Sequence, residues 1–194
     1  LPERPRWLPS SSRAPVRLTV GPINYRAPLS SQDGSQLFVI GEQKRGELVR
    51  HDAATKQFSN FLGGISAEAV DFSRDGEWIV YVTYPDGNLW RSRTDGSLRL
   101  QLTSPPMRAY HPRWSPDRRG IVFQGRVSAG TPWKIYLIAA DGSGLRLLQP
   151  GPASETDASW SPDGNSLVFS ARDASFEDNA IGSLNLNTGA TARL

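Results

Sequence analysis

Short apolar runs recur along the chain, and each begins a few residues after an Asp-centred turn. Four of these runs consist of Leu, β-branched and aromatic residues: Leu37–Ile40, Ile79–Val82, Ile121–Phe123 and Leu167–Phe169. Each run is too short for a helix and is bounded by turn residues, which is typical of a buried strand. No segment shows a convincing helical period, so the pattern predicts an all-β protein.

The turns that precede these runs share a Ser-x-Asp-Gly frame. The four copies are Ser31–Gly34, Ser73–Gly76, Ser115–Arg118 and Ser161–Gly164, with Asp-to-Asp steps of 42, 42 and 46 residues. Arg118 replaces the glycine in the third copy. Because each copy contributes one Asp to its own hairpin, we expect that Asp to accept backbone N–H groups of the turn and to have no catalytic role.

Further strands complete each repeat. One strand precedes the turn and ends at Ser30, Phe72, Trp114 or Trp160. A third strand follows a variable loop, at Gly46–Arg50, Asn88–Arg91, Trp133–Ile138 and Ile181–Leu186. An outer strand follows at 57–61, 98–102, 145–148 and 191–194. Four short antiparallel strands per repeat of this length predict the blades of a β-propeller, with repeats at about 20–61, 62–103, 104–149 and 150–194.

The ends of the chain bear on how many blades the ring has. Residues 16–19 match the outer-strand pattern but have no inner strands left to join. We therefore expect four blades of a larger, six- to eight-bladed ring, while a closed four-bladed ring with one idle strand remains the alternative. Residues 1–15 are rich in Pro and Ser, which predicts a linker before a partial propeller at 16–194.

The composition argues against several classes of function. The 194 residues include no Cys and two His, so we predict no metal site and no cofactor. The net charge is +3, and the Arg residues are scattered over strand ends and turns, so we expect no nucleic-acid partner. No apolar run reaches the roughly 18–20 residues of a membrane helix, so no direct membrane insertion is expected from this segment.

Catalytic signatures are missing from the sequence. It contains no G-x-S-x-G elbow, P-loop, H-E-x-x-H or dinucleotide fingerprint, so this segment is not predicted to be an enzyme. Aligning the repeats on the turn Ser places six residues where the inner strands enter a central channel: Arg26, Glu68, Tyr110, His111, Glu155 and Asp157. Mixed charges with one aromatic ring suit a peptide or polar ligand. The alternative is that these side chains only pair with one another.

Two stretches resemble a known family. Residues 158–173 and 134–142 are similar to the WD-like repeat of TolB-type propellers, over about 16–194. Residues 81–96 resemble propellers that bacteria attach, through a membrane helix, to winged-helix regulators or kinases. The resemblance implies a non-enzymatic interaction or scaffold module with a protein or peptide partner. It also implies an extracytoplasmic (periplasmic) location with a membrane tether upstream, although a cytoplasmic location stays open.

Enzyme families share this repeat. Propellers of this appearance also gate prolyl-oligopeptidase-type serine hydrolases, whose catalytic domain would lie outside this segment. A polysaccharide lyase is a third option, weakened by the two histidines.

Overall fold

The computed structural model describes residues 17–19, 23–149, 152–172 and 179–194. This part of the chain contains strands and turns and no helix, as predicted. It divides into two compact units, Leu1–Lys44 and Arg45–Leu194. The predicted linker at 1–15 lies outside the described residues. Residues 17–19, within the predicted first outer strand, form no strand.

The first unit contains one antiparallel pair, β1 (Asn24–Ser30) and β2 (Leu37–Glu42). The strands are joined by the first Ser-x-Asp turn, as the sequence predicted. Apolar side chains of β2 are exposed, with Phe38 at 56% and Ile40 at 49%. This sheet therefore has the predicted strands but contributes no buried core of its own.

The second unit contains a two-stranded sheet followed by three four-stranded antiparallel sheets. The small sheet pairs β3 (Val49–Asp52) with β4 (Gln57–Asn60). The next sheet is β5 (Ala67–Phe72), β6 (Trp78–Thr83), β7 (Leu89–Arg93) and β8 (Leu100–Gln101). The third repeat gives β9 (Arg108–Trp114), β10 (Gly120–Arg126), β11 (Lys134–Ala139) and β12 (Arg146–Leu147). The fourth gives β13 (Ser154–Trp160), β14 (Ser166–Arg172), β15 (Asn179–Asn185) and β16 (Thr191–Arg193).

Each four-stranded sheet has its strands hydrogen-bonded in chain order, which confirms the predicted blade for the last three repeats. The first repeat differs, because its strands form two separate two-stranded sheets. Part of its predicted third strand pairs elsewhere: Glu47 bridges Ser66, and the Gly46 carbonyl accepts the Ala67 N–H at 3.1 Å. The backbone there is thus used to hold the start of β5.

The core lies between consecutive four-stranded sheets. Val80, Val82 and Leu89 of one sheet pack with Ile121 and Phe123 of the next, all fully buried. A second cluster joins the third and fourth sheets through Val122, Ile135, Leu167, Phe169 and Leu184. Burying each of these side chains contributes about 1.5–3 kcal/mol. The packing brings the inner strands β5, β9 and β13 next to one another.

The Ser-x-Asp turns are built alike in all four repeats. In the third repeat the Ser115 hydroxyl donates to Asp117 at 2.6 Å, and Ser115 Oγ accepts the Gly120 N–H at 2.9 Å. The other three turns repeat both bonds. Each Asp also accepts the N–H two residues later, as the sequence predicted. Arg118, with φ of 65°, keeps the left-handed geometry that glycine supplies elsewhere.

Candidate functional site

A β-bulge interrupts each inner strand before its Ser-x-Asp turn, in the middle of β1, β9 and β13 and near the start of β5. In β9, His111 and Pro112 together oppose Phe123, and in β13 the same geometry occurs at Asp157. His111 and Asp157 have positive φ values of 42° and 56°. His and Asp are among the residues that tolerate this conformation best. A bulge redirects the side chain it carries, so the third and fourth repeats project His111 and Asp157 from equivalent positions.

His111 and Asp157 meet between the third and fourth sheets. The distance from His111 Nδ1 to Asp157 Oδ1 is 2.6 Å, and both side chains are partly exposed, at 40% and 55%. The Asp157 N–H also donates to Gln124 Oε1 at 3.1 Å, which fixes the bulge against β10. A partly exposed contact of this kind contributes about 0–1 kcal/mol to stability. The two residues are therefore available for a role other than holding the fold.

Two aromatic rings, those of Tyr110 and Trp133, follow one another beside this pair. Tyr110 stacks against His111 with ring centroids 4.2 Å apart, and its ring lies 6.4 Å from that of Trp133. The Arg126 guanidinium rests over Trp133 at 4.5 Å from the ring centroid. Aromatic rings and arginine are the groups that most often dominate binding surfaces.

Glu68 and Arg108 complete the arrangement. With Ala109, Tyr110, Arg126 and Trp133 they line a cleft of about 200 Å³. Burial raises the pKa of the Glu68 carboxyl, and the positive charge of Arg108 and interaction with His111 partly oppose that rise. Arg108 Nη2 donates to the Pro85 carbonyl at 2.9 Å, which holds its side chain at the rim. We call this cleft, together with His111 and Asp157, the entrance site.

A buried ion pair positions the aromatic part of the entrance site. Lys134 Nζ lies 2.7 Å from Glu155 Oε1, and the two side chains are only 9% and 6% exposed. Lys134 also donates to the Ala153 carbonyl at 2.9 Å, and the Glu155 N–H donates to the Trp133 carbonyl at 2.7 Å. These bonds fix Trp133 at the start of β11 against the start of β13.

The structure assembles part of the predicted site. Glu68, Tyr110, His111 and Asp157 lie at neighbouring inner-strand entrances, whereas Glu155 is buried with Lys134 and does not line the cleft. Arg26 lies in the first unit, where it pairs with Glu42. The grouping of these six residues into one binding site stays a prediction.

Sequence reasoning missed three residues of the cleft. Arg108 starts β9, Arg126 ends β10, and Trp133 precedes β11. Arg126 pairs directly with Arg108 in the sheet register. Regular hairpin pairing from the turn would place Arg126 opposite Ala109, and the bulge at His111 shifts its partner to Arg108.

The described ranges contain neither a membrane-spanning helix nor a metal-binding group of side chains. No helix there is long and apolar enough to cross a membrane. No three His, Asp or Glu side chains in that part of the chain are grouped to hold a metal ion.

Solved structures share the architecture. A protein described as TolB from Agrobacterium tumefaciens superposes with a TM-score of 0.57 and 17% identity, covering 89% of this chain and 81% of that one. TolB from Acinetobacter baumannii gives 0.57 and 18%, covering 86% and 48%. The chain has a TolB-type β-propeller fold. An oligogalacturonate lyase in complex with manganese shares it, with a TM-score of 0.60, 20% identity and coverage of 91% and 55%.

Sequence comparison adds two bacterial relatives of this TolB-type propeller. An uncharacterized peptidase of Bacillus subtilis, YuxL, is 31% identical over 81 residues. An uncharacterized protein of Agrobacterium fabrum is 26% identical over 110 residues. The chain spans 12% and 38% of the lengths of these relatives. No family model matches.

Proposed function

We propose that this TolB-type propeller segment is a non-enzymatic binding module that takes a protein or peptide partner at the entrance site. The observation that carries the proposal is the contrast between equivalent bulges and different side chains, with His111 and Asp157 projecting from the same position of successive repeats. A rigid scaffold that varies only its projecting residues is the usual design of a recognition surface. Tyr110 and Trp133 supply the aromatic contacts that such surfaces favour.

The setting of the module is part of the same proposal. We place it in an extracytoplasmic, periplasmic sensor or scaffold chain, attached to a membrane tether upstream and completed by further blades into a larger ring. The resemblance to TolB proteins supports this setting. In such a ring the entrance site would lie at the mouth of the central channel.

Photocrosslinking tests the site directly. A p-benzoylphenylalanine placed at the position of Tyr110 should crosslink a specific protein from a periplasmic or cell-surface extract, while the same group at the exposed Arg146 of β12 should not. Tyr110→Ala and Asp157→Asn should weaken capture of that protein at an unchanged melting temperature. Equal crosslinking at both positions, or a fall in melting temperature with unchanged capture, would remove the proposal.

A second candidate rests on the match to the Bacillus subtilis peptidase. In this reading the propeller gates a prolyl-oligopeptidase-type hydrolase whose nucleophile lies in a separate domain. A fluorophosphonate probe reacts with an activated serine, so it should label the full-length gene product outside the propeller if this candidate is right. A full-length product that takes no label and continues with Ser-Pro-Asp-Gly repeats would favour the binding module.

A further inference from the structure

Arg126 makes no ion pair in the described part of the chain. Its Nε–H is buried and donates a hydrogen bond to no acceptor there. Its stacking on Trp133 at 4.5 Å fixes the plane of the guanidinium but satisfies none of its N–H groups. The buried Nε–H is therefore unsatisfied, whereas the residue as a whole is only partly buried and lines the cleft.

A second arginine lies directly opposite. Arg108 and Arg126 are register partners in the β9–β10 ladder. Like charges at directly opposed positions destabilise a sheet. Arg108 makes one hydrogen bond, from Nη2 to the Pro85 carbonyl at 2.9 Å, and no ion pair within the described ranges. Two guanidinium groups therefore present unused donors to the same cleft.

The rest of the lining limits what an anion can be. Glu68 is the single carboxylate of the cleft, so its three charged groups carry a formal net charge of +1. This balance matches a monoanion, and Glu68 would repel a doubly charged phosphate. The cleft volume of about 200 Å³ is of side-chain size. Tyr110 and Trp133 add apolar walls for the methylene groups that carry a carboxylate.

We propose that the cleft between Arg108 and Arg126 binds the carboxylate of an acidic residue in a peptide segment of the partner. The planar guanidinium of Arg126 can donate two parallel N–H···O bonds to a carboxylate, a geometry that lysine does not reproduce. This assignment rests on the proposed function and adds its chemistry: the partner presents Glu or Asp to the entrance site.

Direct binding of defined peptides tests the assignment. The full chain is titrated with N-acetyl-hexaglutamate amide, with hexaglutamine as the uncharged match and with trigalacturonate as a carbohydrate carboxylate, by calorimetry at low salt. Hexaglutamate should bind at least tenfold more tightly than hexaglutamine and more tightly than trigalacturonate. Equal affinity for the two peptides would overturn the proposal. Tighter binding of trigalacturonate would overturn the peptide assignment and indicate a uronate ligand.

Variants of Arg126 separate the contribution of the guanidinium geometry from that of the positive charge. Arg126→Gln should weaken hexaglutamate binding about tenfold, in line with the strength of hydrogen bonds to charged groups. Arg126→Lys should recover only part of that loss, because the charge returns without the guanidinium geometry. Arg146→Gln removes the same charge from exposed β12 and should leave binding unchanged. An equal loss in Arg126→Gln and Arg146→Gln would overturn the proposal, and Arg108→Gln serves if Arg126→Gln does not fold.

The outcomes for the site and for its chemistry are distinguishable. If a partner crosslinks at position 110 but hexaglutamate does not compete with it, the binding module stands and the carboxylate assignment is wrong. If hexaglutamate binds through Arg126 but no protein crosslinks, the carboxylate site stands and the proposed function is wrong.

Discussion

The two ends of the inner strands follow opposite rules. At the turn end every repeat uses the same Ser hydroxyl, the same Asp and the same backbone N–H, with donor distances to Ser Oγ of 2.9–3.0 Å throughout. At the entrance end, β9 and β13 use the same bulge but carry His111 in one and Asp157 in the other. The turn end therefore has the same residues and bonds in every repeat, whereas the entrance ends of β9 and β13 share only the backbone geometry.

The difference shows which constraints act on each end. The turn Ser of the second and third repeats is buried, with Ser73 and Ser115 each 4% exposed, so losing its bonds leaves backbone groups unsatisfied. Asp157 and His111 are partly exposed, and water can replace their contacts. Stability therefore constrains the turn end, while the entrance end is free to vary with a partner.

Glu155 is an exception to this comparison, and its substitution should change the free energy of unfolding more than any other variant proposed below. It lies at the entrance end but is buried with Lys134, in the place of Ala67 and Ala109 in the preceding repeats. Glu155→Ala leaves the Lys134 charge buried and should lower the free energy of unfolding by about 3–5 kcal/mol. Urea denaturation measures the change.

A double variant controls for the charge. Lys134→Met combined with Glu155→Leu removes both ions and should restore most of the stability, because a buried pair is often replaceable by apolar residues. If Glu155→Ala unfolds at the urea concentration of the parent protein, Glu155 belongs with the exposed entrance residues.

Substituting the turn serines should give the next largest loss of stability. Ser115→Ala removes the acceptor of the Gly120 N–H and the donor to Asp117, and Ser73→Ala does the same one repeat earlier. Each should cost about 1–3 kcal/mol in chemical denaturation, as expected for a buried group left unpaired. The change should be similar in the two repeats, and a neutral result in either would show that the turn network does not stabilise that blade.

Acid should weaken the turn end selectively. The Ser73 hydroxyl, the Glu77 N–H and Arg118 lower the pKa of Asp75 to about 2, and the Ser31 hydroxyl and Ser35 lower the pKa of Asp33 to about 2. The unfolded value is about 3.9, so this contribution is fully present above pH 4 and is lost as the pH falls toward 2. Burial raises the pKa of Glu68 and of Asp71, which act in the opposite sense.

Melting temperatures between pH 6 and pH 2 test the acid dependence. Asp75→Asn should make the fall below pH 4 shallower than in the parent protein. The exposed Asp86, which lies outside the Ser-x-Asp turns, supplies the control Asp86→Asn, which should keep the parent slope. Identical slopes in all three proteins would show that the turn carboxylates do not govern acid stability.

The repeat pattern predicted strands and turns well but not their environment. Leu37–Ile40 and Ile79–Val82 look equivalent in sequence, yet Leu37 is 49% exposed and Ile79, at the matching position, is fully buried. A strand pattern records which side chains can be buried. Burial itself requires a sheet packed on that face, and short-range sequence does not record it.

The candidate site was accessible to sequence only through the inner strands. Alignment on the turn Ser found Tyr110, His111 and Asp157, because these residues lie four or five positions before that Ser. It could not find that Arg126 opposes Arg108, because the bulge at His111 shifts the pairing by one residue. It also grouped Glu155 with the candidate binding residues at the channel mouth, since its partner Lys134 begins a strand after a loop of variable length.

The smallest effect on stability is expected at His111 and Asp157, and it decides whether the entrance end is as free as the comparison implies. His111→Asn and Asp157→Asn each remove the imidazole–carboxylate contact while keeping a residue that tolerates positive φ, so backbone strain does not confuse the result. Each should change the free energy of unfolding by less than about 1 kcal/mol, because a partly exposed pair contributes little. The same variants should weaken partner capture if the pair contacts the partner. A loss above about 2 kcal/mol with unchanged capture would make the pair a structural latch between the third and fourth sheets, and the entrance end would then obey the same rule as the turn end.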